Sequence, residues 1–332
     1  MKIIHKEVFP SETPCCHAAS VAIHNESPVF SWFGGSYEGR EDVSIFISHG
    51  KSLDVIKECN LPYWNPILFT VKDKLMMFYK VGTFCDRWQS FLAYFDDNLK
   101  INRTVMLPAG VNGPVKTQPL QIGNSLLCGS SVETQFDWTS YIEYYDIDRD
   151  NIDFRKRSKP ITINKVDYTA ISRMTGMEIK AKSKGIIQPA LAYDGDIIHA
   201  FYRSSGGVNK ICYSNNNCEF QNVQKLDIDN PNSGIDVKYI EKNKEIVMFY
   251  NPSSLSRSPL VATRFSYNID SSGDNIELNQ KQNIVIEEDS IPSEYSAFTD
   301  EFSYPYAVLD EDKIHLVYTI GRSRIGYCIL EV

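Results

Sequence analysis

The sequence has no apolar run long enough to span a bilayer, no Cys-x-x-Cys pair, no linker rich in Pro, Gly and Ser, and no surplus of positive charge. Each absence excludes something. Without an apolar span, and with only Met1-Lys2-Ile3-Ile4-His5-Lys6-Glu7 at the start, the chain reads as a cytoplasmic protein with no signal peptide and no membrane partner. The eight cysteines (Cys15, Cys16, Cys59, Cys85, Cys128, Cys212, Cys218 and Cys328) are scattered without metal-type pairing, so we expect reduced thiols, no zinc and no cofactor. Lys and Arg total 34 against 42 Asp and Glu, a net charge of -8, which argues against nucleic acid as a partner because phosphate binding needs a cationic surface. An acidic polymer could be held only in a locally basic pocket. Glycine is scarce at 18 of 332 residues, whereas 19 Tyr and 17 Phe favour strands over long helices. The missing linker predicts a single domain over residues 1–332.

What is present is a repeat. Apolar strand groups recur at roughly 50 to 70 residues, the period of a β-propeller blade. The first group runs from Ala18 to Phe33 and pairs with Val43 to Ser48. The second is Pro66 to Phe69 with Lys74 to Lys80, then Ser90 to Phe95; the third is Gln118 to Ile122 with Ser125 to Cys128, then Ser140 to Tyr145. The fourth is Gln188 to Tyr193 with Ile197 to Tyr202, then Lys210 to Tyr213. The fifth is Gly234 to Tyr239 with Glu245 to Tyr250, then Leu260 to Thr263; the sixth is Tyr304 to Leu309 with Lys313 to Tyr318, then Arg324 to Cys328. Six such units predict an all-β, six-bladed β-propeller, with Ile3 to Phe9 adding a strand to the last blade to close the ring. The stretch from Arg155 to Lys184, with nine basic residues and weak strand pattern, reads as an insertion loop around residues 155–185.

The most unusual segment is Trp32 to Ser48, where an apolar strand breaks at Gly34-Gly35 and resumes as an alternating one. Its tip carries Glu38, Arg40, Glu41 and Asp42, more charge than a turn requires. In a propeller the ends of the innermost strands meet at one channel mouth. The residues expected there are His17, Glu38, Arg40, Asp42, Asn65, Lys80, Lys116, Glu133, Gln188, Arg203, Asn232, Asp236, Asn251, Arg257, Tyr304 and Arg322. In an acidic chain this set is rich in cations, and guanidinium groups grip carboxylates in a bidentate fork, so an acidic glycan or oligosaccharide is the expected partner. His199 and His315, in apolar strands, read as structural.

The words Cys16-His17-Ala18-Ala19-Ser20, Trp32-Phe33-Gly34-Gly35 to Asp42, Trp64-Asn65-Pro66, Phe78-Tyr79-Lys80-Val81-Gly82, Asn112-Gly113-Pro114-Val115-Lys116, Gln188-Pro189, Arg203-Ser204, Asn232-Ser233-Gly234-Ile235-Asp236 and Ser303-Tyr304-Pro305 resemble, in that order, the sialidase (neuraminidase) superfamily in its BNR-repeat branch. The Asp-box of that superfamily survives only as vestiges at Tyr94-Phe95-Asp96-Asp97-Asn98 and Tyr213-Ser214-Asn215-Asn216-Asn217. The resemblance implies three Arg on a substrate carboxylate, an Asp acid/base, and a Tyr nucleophile activated by a Glu. It implies Asp42 as the acid/base, Tyr304 as the nucleophile, and Arg203 and Arg257 as carboxylate ligands. His17 stands where the first Arg would be, and Gln188 where the activating Glu would be, so Glu133 or Glu301 would have to replace that base. Three function classes follow: a sialidase-like glycoside hydrolase, a propeller-type polysaccharide lyase with His17 and Tyr304 as base and acid, and a non-catalytic glycan-binding propeller.

Overall fold

The structure is a computed structural model that describes residues 1–149, 151–171, 176–288 and 301–332. Six four-stranded antiparallel sheets follow one another along the chain. Blade I comprises β2 (Cys15–His24), β3 (Ser27–Gly35), β4 (Ser44–His49) and β5 (Ser52–Ile56). Blade II comprises β6 (Tyr63–Val71), β7 (Lys74–Val81), β8 (Gln89–Phe95) and β9 (Ile101–Met106); blade III has β10 (Leu120–Ile122), β11 (Ser125–Glu133), β12 (Trp138–Asp148) and β13 (Asn151–Arg157). A separate hairpin, β14 (Asp167–Ile171) and β15 (Glu178–Lys182), precedes blade IV, which comprises β16 (Ile186–Tyr193), β17 (Ile198–Ser204), β18 (Lys210–Asn215) and β19 (Gln224–Asp229). Blade V is β20 (Asp236–Ile240), β21 (Glu245–Tyr250), β22 (Leu260–Ile269) and β23 (Ile276–Glu287). Blade VI is β24 (Phe302–Asp310), β25 (Lys313–Ile320) and β26 (Arg324–Glu331), completed by β1 (Lys2–Pro10) pairing antiparallel with β26. The ring therefore closes as the sequence predicts, as a six-bladed β-propeller.

Two readings of the sequence change. Ala18 to Phe33 is not continuous: Asn25 (φ 48°) and Glu26 (φ 61°) turn the chain between β2 and β3. Two successive positive φ values define the hairpin turn that matches strand twist, and here no glycine announces it. The basic stretch after residue 155 is not a plain loop. Arg155, Lys156 and Arg157 lie in β13, and Arg157 pairs with the buried Glu143 of β12 at 2.6 Å. Farther on, β14 and β15 form a hairpin whose Tyr168 lies against Gly206 and Gly207; a Cβ on Gly207 would sit 2.4 Å from the Tyr168 ring. Residues 172–175 of that stretch fall outside the described residues.

The blades are held face to face by large side chains. One core unites Trp32, Phe78, Tyr145, Tyr306 and Tyr327 from blades I, II, III and VI, and another joins Phe201 and Tyr213 of blade IV to Val237 and Met248 of blade V. Buried aromatics each supply a large apolar area, and a buried hydroxyl needs a partner. Tyr306 meets that need across the ring, donating to the Leu68 carbonyl at 2.5 Å. All eight cysteines are free thiols. Among the described residues no helix is long and apolar enough to cross a membrane.

The antiparallel order sorts the loops. The innermost strand of each blade begins at one face of the disc, so the second-to-third-strand loops return to that same face. The first-to-second and third-to-fourth turns lie on the opposite face.

Candidate active site at the channel mouth

The mouth is shaped by a backbone irregularity repeated around the ring. Strand register shifts between His17 and Ser20 in β2, Trp64 and Ile67 in β6, Ile187 and Ala190 in β16, and Ser303 and Tyr306 in β24. At each shift one residue is left-handed: Ala18 (φ 50°), Asn65 (φ 41°), Gln188 (φ 55°) and Tyr304 (φ 56°); Asn232 (φ 58°) does the same ahead of β20. Such a conformation is costly for a residue with a Cβ, and a bulge re-aims side chains out of the strand alternation. The close approach of blades is equally demanding, since a Cβ on Gly129 of β11 would lie 1.9 Å from the Pro189 carbonyl oxygen.

Carbonyls that turn into the channel have no ladder partner, and buried carbonyls must be satisfied. Thr117 Oγ1 donates to Pro189 O at 3.1 Å, Lys80 Nζ donates to Pro114 O, and Lys116 Nζ donates to Pro305 O. This corrects the expectation that Lys80 and Lys116 bind substrate. Both amines are buried inside the channel, where burial pushes each down to about 7. Asp236 is likewise removed from the substrate set: it is wholly buried, accepting from the amides of Ala307 and Val237 at 2.7 Å and from Lys238 at 2.9 Å. Asn65 and Asn251 also cap backbone, Asn65 on Val115 O and Asn251 on the carbonyls of Arg257, Pro259 and Phe302.

The remaining mouth residues form one chain of hydrogen bonds across five blades. Gln188 Nε2 reaches Glu133 at 3.5 Å and donates to Tyr304 Oη at 3.2 Å. Arg203 at the end of β17 donates to Tyr304 Oη and Gln188 Oε1, both at 3.0 Å, and to Asn232 Oδ1 at 2.7 Å. Arg257 donates to Asn232 O at 3.0 Å and to Glu301 at 2.6 Å. Arg322 binds the other oxygen of Glu301 at 2.9 Å and pairs with Glu38. Beneath them lies His17, its ring 4.1 Å from that of Tyr304 and both ring nitrogens without a partner among the described residues.

The electrostatics follow from burial and from the three guanidinium groups. Burial, reinforced by Arg322, Arg257 and Arg203, drives His17 well below its ordinary value, so the imidazole is neutral. Burial alone would raise Glu301, but Arg257 and Arg322 hold its carboxyl far below the usual carboxylate range. Burial raises the Glu133 carboxyl against the pull of Arg203, favouring its protonated form. Burial also lowers Arg257. The phenolic oxygen of Tyr304 receives two N–H donors, one from Gln188 and one from Arg203.

Two expected residues stand apart. Asp42 is exposed on the loop between β3 and β4, accepting from Ser36 N at 2.8 Å and Ser36 Oγ at 3.0 Å, and Arg40 is exposed on the same loop. Glu301, expected only as a stand-in base, instead clamps two arginines. Sequence reasoning also missed a groove leading outward from Glu133 between the loops of blades II and III, lined by Phe84, Cys85, Arg87, Gln135 and Trp138. Its signal was present as Phe84, an exposed aromatic on a loop of the mouth face. Among the described residues no group of three or more His, Cys, Asp or Glu is placed to hold a metal ion.

Fold and mouth together define a sialidase-fold propeller whose channel end is lined by three arginines and a tyrosine. Residues 29–316 match the BNR repeat-like domain, and the chain belongs to that family. Among solved structures it is similar to a protein of unknown function from Dyadobacter fermentans, with a TM-score of 0.70 and 11% identity over 100% of this chain and 99% of that one. It is similar also to the sialidase of Trypanosoma rangeli solved with the inhibitor DANA, with a TM-score of 0.59 and 10% identity, covering 99% of this chain and 58% of that longer one. A third likeness is to a subtype N10 neuraminidase-like protein of a little yellow-shouldered bat influenza virus, with a TM-score of 0.53 and 10% identity over 100% and 99% of the two chains. No curated protein matches the sequence.

Proposed function

We propose that the mouth binds a terminal carboxylate-bearing sugar of a glycan and cleaves its glycosidic bond, as a sialidase-like glycoside hydrolase. The observation that carries this reading is the convergence of Arg203, Arg257 and Arg322 on one small volume beside Tyr304, with a neutral imidazole beneath. Three guanidiniums suit a carboxylate, and they fix the sugar so that its anomeric carbon faces the phenolic oxygen. Tyr304 Oη, oriented by N–H groups of Arg203 and Gln188, gives its proton to water at the mouth and forms the bond to that carbon as the bond to the leaving oxygen breaks; water then hydrolyses the glycosyl–tyrosine bond and the phenol regains a proton. The leaving oxygen takes a proton from a carboxyl group. Glu133, whose burial favours the protonated state, meets that requirement better than the solvent-exposed Asp42. The outward groove at Glu133 gives the rest of the glycan a path.

A lyase reading draws support from one feature: the unpartnered, neutral His17 against Tyr304 is the form of imidazole that accepts a proton. The two chemistries leave different products. Incubation with sialosides and with uronic-acid oligosaccharides, following both released sugar and unsaturated ends, is expected to give released sugar alone. Unsaturated ends would transfer the site to β-elimination, and binding without either product would make it a glycan-binding propeller.

A further inference from the structure

The geometry points to Lys116 as a positioning residue for Tyr304, holding the left-handed backbone at the tyrosine from inside the channel and setting the charge beneath its ring. Lys116 comes from the segment ahead of β10 on blade III, far around the ring from β24, yet its Nζ donates to the carbonyl of Pro305, the residue that follows Tyr304. That carbonyl is turned inward by the bulge between Ser303 and Tyr306. The same ammonium lies 5.9 Å from the Tyr304 ring centroid. Gly234 keeps the two together: a Cβ there would lie 2.9 Å from Lys116 Cε and 3.3 Å from Tyr304 Cδ2, so lysine stem and tyrosine ring share the space above that backbone. Thr117, the next residue, performs the same service for Pro189, the residue that follows Gln188. Two consecutive side chains of blade III thus steady the two bulges that carry the phenol and its amide neighbour.

The charge on Lys116 is adjustable. Burial brings its ammonium to about 7, against the opposing pull of Asp236 and with lesser pushes from Lys238 and Arg203. Those groups, with Tyr304 itself and the His17 ring packed against it, are the charged and titratable groups that face it. A cation near an aromatic face favours an electron-rich ring, and a phenolate more strongly still. As Lys116 loses its proton across neutrality the phenol loses that support, while the neutral amine still donates to Pro305.

The inference rests on Tyr304 being the working group of the site, but its first test requires no substrate. With ring-labelled tyrosine, the Tyr304 resonance, identified by its loss in Tyr304→Phe, should shift with a midpoint of about 7, and that step should vanish in Lys116→Met. His17 cannot produce the step, because its titration lies well to the acid side. The other tyrosine resonances report whether Lys116→Met is folded. A flat wild-type resonance through neutrality, or a step that persists in folded Lys116→Met, overturns the inference even if the protein cleaves acidic sugars. With a turned-over substrate, Lys116→Met should lower kcat roughly tenfold at unchanged KM, and the alkaline fall of the wild-type profile near neutrality should disappear. A raised KM at unchanged kcat would instead make Lys116 a substrate ligand and overturn the positioning role.

Discussion

The two faces of the propeller use polar side chains in opposite ways. On the face away from the mouth, three carboxylates close the turns that carry them. Asp96 Oδ1 accepts from the amides of Asn98 and Lys100, both at 2.9 Å, and Asp194 Oδ1 accepts from those of Asp196 at 2.9 Å and Ile197 at 2.7 Å. Asp270 likewise accepts from Asn275 Nδ2 at 2.7 Å and Ser272 Oγ at 2.6 Å. At the mouth the partners are remote in sequence: Arg203 with Tyr304, Gln188 with Glu133, Arg322 with Glu38. Local bonds need only a turn, whereas remote ones exist only when the whole ring is closed. Apolar exposure divides in the same way, since Tyr37, Phe84, Phe136 and Leu255 all stand on loops of the mouth face. Turn chemistry therefore marks structure on one face, and assembled chemistry marks a site on the other.

That contrast is broken most directly at Arg203. In Arg203→Ala the phenol and the Gln188 amide lose their common partner, and affinity for a carboxylate sugar should fall by about 2 to 5 kcal/mol, measured by calorimetry on folded protein. Unchanged affinity would take Arg203 out of the site. Glu301→Gln tests the clamp. Removing the carboxylate leaves Arg257 and Arg322 without their shared anion in a nearly enclosed place, at a cost of about 3 kcal/mol in stability near neutral pH. The folded-state value of Glu301 is depressed, so its contribution is complete above the ordinary carboxylate range and declines as pH falls toward the folded value. Urea denaturation should therefore show the variant and the parent converging in acid. A gap that persists there would mean that packing, not charge, makes Glu301 valuable.

How much of this was legible follows from the same division. The strands, the ring closure by β1 and the polar turns are written locally, in alternation and in words such as Asp194-Gly195. Even the vestigial Asp-box words sit where the third strand turns into the fourth, with Asn215 Oδ1 accepting from Asn217 N at 2.9 Å. Arg203, Gln188, Tyr304, Arg257 and Arg322 could be named as mouth residues because they sit at strand ends, but their partners could not. Lys80, Lys116 and Asp236 read differently in the structure for a specific reason: their partners are backbone groups remote in sequence, Pro114 O for Lys80, Pro305 O for Lys116 and the Ala307 amide for Asp236, and these charged groups turn inward to them. The signal for the bulges of β6, β16 and β24 was visible as Asn65-Pro66, Gln188-Pro189 and Tyr304-Pro305, with the first residue left-handed every time. Asn25-Glu26 hid its turn because neither residue is glycine.

The smallest effect, and the sharpest control, is expected on the far face. Asp194 is more than a turn closer: its second oxygen meets His199 Nε2 at 3.0 Å and Tyr267 Oη at 2.6 Å, tying blade IV to blade V. Burial makes His199 neutral, so it donates from Nε2 while Nδ1 accepts from Tyr213 Oη at 3.0 Å. Against burial, which alone would raise it, the donors from Tyr267, Ile197 and His199 lower Asp194 to about 2. Asp194→Asn keeps the shape but loses the anion, and should cost about 1 kcal/mol in urea denaturation. Because the folded value is depressed, that cost should be constant near neutrality and shrink as pH falls below about 4 toward 2. Affinity for a carboxylate sugar and the Tyr304 resonance should both stay where they are, since nothing in this network touches the mouth. A change in either would mean that the two faces communicate through blades IV and V, and that remote bonding alone does not mark the site.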